Sequence, residues 1–273
     1  MHHLTATATV LILATVVTTA AVVRAKDDAA DPAPAKPPAT APQPFAIVEL
    51  FTSEGCSSCP PADAILSNLV KDARARHQRI FPLSFHVDYW NNLGWRDPFS
   101  DAAYSDRQRA YADAMRLDST YTPQMIVNGQ VQFVGSNGRL ARNEIDTALK
   151  RPATVAIQLA AKLNDQHDAL RLDYTLTGGP TRNCTLNLAL VQRNLTTKVA
   201  RGENANRTLH HDNVVRAFRA IPLKEFQGQA DLPIPADVNL NETSVVAYAQ
   251  DPAFKVLGAA LFDMPATKPP ARH

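Results

Sequence analysis

Two cysteines separated by two residues, Cys56 and Cys59, offer the most specific chemistry in the sequence, within the stretch FTSEGCSSCPPAD at 51–63. A pair with this spacing is typical of a redox-active dithiol, of half a zinc site, or of a local structural disulfide. A structural zinc site needs four ligands, and the sequence has no second such pair and no compact group of cysteines and histidines. The sequence therefore disfavours zinc and leaves the dithiol and the structural disulfide open.

The position of the pair favours redox chemistry. The apolar run FAIVELF at 45–51 precedes it and predicts a buried strand, and apolar residues at helical spacing follow from Pro61 onward. Backbone N–H groups and the dipole at the start of a helix stabilise a thiolate. Cys56 would then be the attacking nucleophile and Cys59 the resolving thiol, joined as the disulfide Cys56–Cys59 in the oxidised form.

Two kinds of pattern divide the folded part of the chain. Residues 45–151 predict strand, helix, strand, inserted helix at 98–117, a hairpin turning at Asn128 and Gly129, and a last helix. Residues 152–264 predict short alternating strands separated by Gly, Pro, Asn or Asp, with no convincing helix. The sequence therefore predicts an α/β domain with a helical insertion, followed by an all-β, sandwich-like domain.

Both ends of the chain read as segments outside the fold. Residues 1–25 are apolar with small residues at their end, which predicts a cleaved signal peptide; a membrane anchor is the alternative, because the stretch is nearly long enough to span a bilayer. Residues 26–44 predict a disordered linker rich in Pro and Ala, and residues 265–273 a disordered tail. We therefore expect a periplasmic or secreted protein without a stable membrane anchor after cleavage, in a compartment that permits disulfides.

Composition limits the partners. The 273 residues carry a formal net charge of +2 without a run of Lys or Arg, so no nucleic-acid partner is indicated. No Gly-rich phosphate loop, Ser-His-Asp arrangement or paired carboxylates stand out, and we expect no cofactor. The expected partner is an exported protein or a small thiol, and the oligomeric state is left open.

Four motifs resemble a known family: ELFTSEGCSSCPPAD at 49–63, FHVDYWNNLGW at 85–95, YTPQMIVNG at 121–129 and GENANRTLHHDNVVRAF at 202–218. They look like a family of secreted bacterial proteins called domain of unknown function 1223, which belongs to the thioredoxin-like superfamily. The resemblance covers most of residues 45–262. It implies a thioredoxin-like fold for the α/β domain.

The same resemblance implies roles for single residues. Cys56 and Cys59 take the place of the thioredoxin dithiol, and Pro123 takes the cis-proline position. Glu49, on the strand before the pair, lies near the place of a buried acid that would move a proton to or from Cys59. The alternative for Glu49 is a carboxylate paired with solvent or an arginine. Gly55 departs from the pattern, because an aromatic residue usually precedes the first cysteine.

Several residues around the pair are candidates for binding. Thr122, Trp90 and Trp95 would contact an extended peptide substrate, with a role in capping the core as the alternative for the two tryptophans. His86 could join both cysteines as a third ligand for Cu(I). The alternative for His86 is a hydrogen-bonded pair with Asp88, which lies on the same face of the strand.

Three residues of the second half carry weaker signals. Cys184 opens a strand and predicts a buried thiol, with a bond to a second chain as the alternative. His210 and His211 are adjacent on a strand, so we expect their side chains to point to opposite faces and not to bind one ion together.

Thiol–disulfide exchange through Cys56 and Cys59 is therefore the function that the sequence favours. The first alternative is a binding module in which the disulfide is permanent and the β domain recognises the ligand. The second alternative is a protein that handles Cu(I).

Overall fold

The structure is a computed structural model that describes residues 1–2, 41–179 and 183–265. Almost all of the predicted signal peptide, most of the linker and nearly all of the tail lie outside the described residues. From residue 41 onward, the described chain belongs to one compact unit, Ala39–His273. Within the described residues, no helix is both long and apolar enough to cross a membrane.

The described chain up to residue 151 contains β1 (Ala46–Thr52), α1 (Pro60–Ala75), β2 (Ile80–His86), α2 (Ala102–Met115), β3 (Gln124–Val127), β4 (Val131–Val134) and α3 (Gly138–Ala148). The later chain contains β5 (Ala156–Leu163), β6 (Ala169–Thr177), β7 (Thr185–Gln192), β8 (Leu195–Lys198), β9 (Thr208–His211), β10 (Val214–Pro222), β11 (Gln227–Pro233), a 3-10 helix (Leu240–Glu242), β12 (Thr243–Gln250) and β13 (Val256–Asp263).

Strand β1 lies in the interior, with helices on both of its faces. All its residues are buried, which fits its almost continuous apolar sequence. Val48 and Leu50 face α1 and α3 and share a core cluster with them. Ile47 and Phe51 face the other side, where they pack in a cluster with Tyr111 of α2. This alternation follows from the period of two along a strand.

The main sheet has eight strands in the order β13-β12-β7-β10-β2-β1-β3-β4. Strands β1 and β2 are parallel and are joined by α1, as a parallel pair requires a crossover connection. Strand β10 lies parallel to β2, with Val214 opposite Ser84. The sheet therefore continues across the predicted domain boundary between residues 151 and 152, and the division into two domains stays a prediction.

A second sheet of three strands, in the order β11-β6-β5, packs on the later strands of the main sheet. Leu170 and Leu172 of β6 share a buried cluster with Leu188 and Leu190 of β7. Two sheets that bury apolar side chains face to face have the layering of a sandwich. The third sheet, β8 with β9, is a separate two-stranded hairpin.

The hairpin between β3 and β4 turns at Asn128 and Gly129, whose φ angles are 48° and 66°. Positive φ at both positions is typical of the two central residues of a type I′ turn. A Cβ atom at Gly129 would lie 1.9 Å from the carbonyl oxygen of Phe254, so no other residue fits there. Asn128 also accepts a 2.7 Å hydrogen bond from the N–H of Ile47, which ties the turn to β1.

Candidate functional site

Cys56 and Cys59 form a disulfide immediately before the first residue of α1. The carbonyl of Cys59 accepts hydrogen bonds from Ala62 and Asp63, so Cys59 is the N-cap of the helix. Both cysteines are 0% exposed, although the two serines between them are exposed. The disulfide is therefore formed and covered in the same structure.

The peptide bond between Thr122 and Pro123 is cis, the geometry that the resemblance implies. A Cβ atom built at Gly135 would lie 3.3 Å from Cβ of Pro123 and 3.2 Å from Cβ of Ala62. Pro123 and the first turn of α1 thus line the same small space.

Trp90 contacts both Gly55, which precedes Cys56, and Thr122, which precedes Pro123. Its indole N–H donates a 2.9 Å hydrogen bond to the hydroxyl of Thr122. A Cβ atom at Gly55 would lie 2.9 Å from Cβ of Trp90, closer than real Cβ contacts come. The Cβ and backbone carbonyl of Trp90 occupy the space beside Gly55, which explains why a glycine stands there instead of an aromatic residue.

The side chain of Glu49 lies on the face of β1 that is turned away from α1. Its carboxylate accepts hydrogen bonds from Arg107 at 2.7 and 2.9 Å and from the hydroxyl of Tyr111 at 2.7 Å. Leu50, the next residue, faces α1, so Glu49 points away from the helix that follows the dithiol. The structure does not bring Glu49 to the cysteines. Glu49 is instead paired with an arginine, Arg107, which is the alternative that the sequence left open.

A different buried carboxylate lies on the α1 side. Asp63 accepts a 2.8 Å hydrogen bond from the hydroxyl of Thr52, and its second oxygen is 3.9 Å from Nδ1 of His211. Burial raises the pKa of Asp63, an effect that the charge of His211 partly offsets. The Nε2 of His211 is 3.2 Å from Oε1 of Glu54. Within the described residues, both ring nitrogens of His211 and Oε1 of Glu54 are buried without a hydrogen bond.

His86 pairs with Asp97 and not with Asp88, which corrects the predicted partner. Its Nδ1 is 2.7 Å from Oδ2 of Asp97, and the same oxygen accepts a 2.8 Å hydrogen bond from the N–H of Glu54. Burial opposes the charge on His86, but the carboxylate of Asp97 raises the pKa of His86 overall. Burial likewise opposes ionisation of Asp97, and His86 lowers its pKa overall. Asp88 instead accepts a hydrogen bond from the hydroxyl of Ser105.

Trp95 contacts the same buried group of acidic residues and histidines, through Glu54. The indole N–H of Trp95 donates a 2.8 Å hydrogen bond to Oε2 of Glu54. Glu54 is thus held by Trp95 through its side chain and by Asp97 through its backbone. Trp95 positions the residues around the dithiol from the side of the β2–α2 connection.

No arrangement for a metal ion occurs among the histidine, cysteine, aspartate and glutamate side chains of residues 41–179 and 183–265. The Cu(I) hypothesis required the two thiols and His86 as ligands. Here the two sulfur atoms are bonded to each other, and Nδ1 of His86 is engaged by Asp97.

A loop between β8 and β9, which we call the cap loop (residues 199–207), lies against the backbone of residues 54–57. The side-chain amide of Asn204 donates 2.9 Å hydrogen bonds to the carbonyl oxygens of Glu54 and Cys56. The carboxylate of Glu203 accepts a 2.9 Å hydrogen bond from the N–H of Ser57. Sequence reasoning missed Asn204 and Glu203; the motif that begins at Gly202 was the available signal.

The remaining candidates lie where their patterns predict. His210 is exposed and His211 is buried, so their side chains do point to opposite faces of β9. Cys184 is buried in the cluster between the two large sheets, and burial raises the pKa of its thiol.

Comparisons with known proteins match most of the chain. Residues 47–250 match the model of a family described as protein of unknown function (DUF1223). The crystal structure of protein AGR_C_4864 from Agrobacterium tumefaciens is similar, with a TM-score of 0.62 and 25% sequence identity. That likeness covers 83% of this chain and 97% of that one. A comparison with curated proteins found no match.

Proposed function

Because the chain belongs to the protein family of unknown function DUF1223, we propose its activity from its own site: it exchanges thiols and disulfides through Cys56 and Cys59. The partner is an exported protein or a small thiol. The protein acts in the periplasm or outside the cell, where the leader-like residues 1–25 would direct it.

The observation that carries the proposal is the place of the disulfide between the end of β1 and the start of α1, and it is supported by the position of Pro123, which lies with Ala62 of α1 near Gly135. Helix starts stabilise thiolates, and a thiolate is the species that attacks a disulfide. The order β1, dithiol, α1, parallel β2, cis-proline and hairpin β3–β4 supports a thioredoxin-like reading of residues 45–151.

The exchange proceeds in two balanced steps. The thiolate of Cys56 attacks one sulfur of the substrate disulfide, which joins Cys56 to that sulfur and releases the other as a thiolate. The thiolate of Cys59 then attacks Sγ of Cys56, which forms Cys56–Cys59 and releases the second substrate sulfur. The substrate gains two electrons and two protons, and the dithiol loses the same number. The reverse sequence oxidises a substrate dithiol.

Trapping the intermediate tests this directly. In Cys59→Ala, with Cys184→Ala to remove the third thiol, glutathione disulfide leaves a glutathione adduct on Cys56 because no thiol resolves it. The reduced protein with both site cysteines should instead return to Cys56–Cys59 and release glutathione. Cys56→Ala is the matched control, and we expect it to form the adduct far more slowly. Absence of an adduct in folded Cys59→Ala contradicts the proposal.

A second candidate function is a binding module with a permanent disulfide, in which the later strands recognise the ligand. Burial of both cysteines favours it, because a covered disulfide is protected from thiols. Such a protein keeps Cys56–Cys59 oxidised against excess reduced glutathione while it is folded.

A further inference from the structure

The cap loop lies against the backbone of Cys56, whose sulfur reacts in the proposed exchange. Both cysteines are 0% exposed, and Sγ of Cys56 lies 3.4 Å from the hydroxyl oxygen of the exposed Ser58. Asn204 is also 0% exposed and lies on the carbonyl of Cys56. Thiol exchange requires access to the sulfur that is attacked. Because the cap loop lies on the backbone of the residue whose sulfur reacts, displacement of the loop is a route by which a thiol gains access to Sγ of Cys56.

The cap loop is closed at its base by its own backbone hydrogen bonds. Its ends close on each other, because the N–H of Val199 donates to the carbonyl of Arg207 and the N–H of Asn206 donates to the carbonyl of Val199, both at 2.9 Å. In the described sheets, β8 and β9 pair only with each other. Movement of the loop therefore breaks none of the ladders of the main sheet.

Few polar contacts hold the cap loop on the dithiol. They are the two hydrogen bonds from Asn204 and the one that Glu203 accepts from Ser57. Arg207 donates a 2.8 Å hydrogen bond to Oδ1 of Asn204, which turns the amide nitrogen of Asn204 toward the two carbonyls. Asn204 carries most of this connection, since it is buried and Glu203 is exposed.

We propose that Asn204 is a positioning residue of the exchange reaction: it holds the cap loop on Cys56 and sets how often that sulfur is open to a thiol. This inference rests on the proposed exchange activity. When the loop is displaced, a dithiothreitol thiolate attacks Sγ of Cys56 and Cys59 leaves as a thiolate, which takes a proton from water. The second thiol of dithiothreitol then attacks the mixed disulfide and releases Cys56. Dithiothreitol loses two electrons and two protons, which Cys56 and Cys59 gain.

Reduction kinetics of the folded, oxidised protein test the proposal. Dithiothreitol is the probe, and the reduced fraction of Cys56 and Cys59 is measured by alkylation and mass spectrometry. At low dithiothreitol, we expect Asn204→Ala to react about tenfold faster than the wild type, because two hydrogen bonds to the closed state are lost. Glu203→Gln should give a smaller increase, and Arg201→Ala, an exposed residue of the same loop, should react at the wild-type rate.

The dependence of the reduction rate on dithiothreitol concentration separates this role from a purely structural one. If Asn204 only supported the fold, its replacement would not change the rate at which reduction levels off. For the wild type, the rate should level off at high concentration, where loop opening limits it. For Asn204→Ala, it should level off at a higher rate or stay linear. Circular dichroism of each variant shows that the fold is kept, and Glu203→Gln carries the test alone if Asn204→Ala does not fold.

Two results overturn the inference and separate it from the proposed function. If the wild type, Asn204→Ala and Glu203→Gln are all reduced equally fast, at rates linear in dithiothreitol concentration, the cap loop is no barrier and the exchange activity stands. Equal and negligible reduction of all folded variants means that the disulfide is structural, and both proposals fall.

Discussion

The carboxylate of Glu49 and the guanidinium of Arg107 form a bidentate pair inside the protein, with N···O distances of 2.7 and 2.9 Å. The side chain of Glu49 is 1% exposed and that of Arg107 is 9% exposed. The hydroxyl of Tyr248 receives a further hydrogen bond from Arg107 at 2.9 Å. This pair joins β1, α2 and β12 on the sheet face opposite α1, so its role is to hold the fold.

Replacement of Glu49 by Gln should therefore lower stability and leave exchange unchanged. The substitution leaves the charge of Arg107 buried without its partner, and we expect the free energy of unfolding to fall by about 3–5 kcal/mol. Arg74→Gln, at the half-exposed pair with Asp263, is the control and should cost at most about 1 kcal/mol. Urea unfolding measures both. A Glu49→Gln protein of unchanged stability and slowed glutathione exchange would place Glu49 in the reaction instead.

Gly55→Ala should disturb the contact between Trp90 and the backbone just before Cys56. The new methyl group would lie 2.9 Å from Cβ of Trp90 and 3.4 Å from its carbonyl oxygen. Because the backbone on both sides must shift, we expect a loss of about 1–3 kcal/mol in urea unfolding and a change in tryptophan fluorescence.

Gly138→Ala is the matched control for this substitution. Gly138 is the first residue of α3, and its new Cβ would come closest to the end of the flexible Ile65 side chain, at 3.2 Å, with the end of the Arg142 side chain at 3.6 Å. We expect a change of less than about 1 kcal/mol. Equal stability of Gly55→Ala and the wild type would show that Trp90 does not select glycine at position 55.

The buried pair of His86 and Asp97 should give stability a dependence on pH. The lowered pKa of Asp97 contributes stability that is present above about pH 3.9, the ordinary value, and is lost as pH falls through the folded value below it. The raised pKa of His86 contributes stability that is full below about pH 6.5 and is lost as pH rises through the folded value above it. The charges of Glu54, Asp63 and His211 face the same space.

Urea unfolding between pH 3 and pH 9 measures this dependence. We expect the contribution of the pair to be greatest between about pH 4 and pH 6.5, from the ordinary pKa values of the two groups. His86→Gln should flatten the loss of stability above neutrality, and Asp97→Asn should flatten the loss in acid. Identical slopes for the wild type and His86→Gln would show that His86 does not carry the alkaline change.

Local patterns in the sequence predicted the elements that position the dithiol. The apolar run before Cys56 is β1, the helical spacing after Pro61 is α1, and Asn128 with Gly129 forms the hairpin turn. These features depend on residues close in sequence, whose periodicity and turn chemistry are visible in the chain itself.

Contacts between distant segments could not be predicted in the same way. Strand β10 pairs with β2 because that edge of β2 is left open by the earlier strands. A single sequence does not specify such a pairing. The partner of His86 was predicted two residues away, at Asp88, but the β2–α2 connection folds back and places Asp97 there. Asn204 reaches Cys56 across 148 residues. Its contacts are hydrogen bonds to backbone carbonyls, so the motif that contains Asn204 does not indicate which segment Asn204 contacts.

The reduction potential of Cys56–Cys59 tests the central claim most directly. The folded protein, with Cys184→Ala, is equilibrated without oxygen in mixtures of reduced and oxidised glutathione, and the oxidised fraction is read by alkylation and mass spectrometry. Asn204→Ala is measured beside it to show that equilibrium is reached. An exchanging dithiol predicts a midpoint above about −300 mV, within reach of glutathione. A pair that stays oxidised in the most reducing mixtures in both proteins would contradict the account and identify the disulfide as structural.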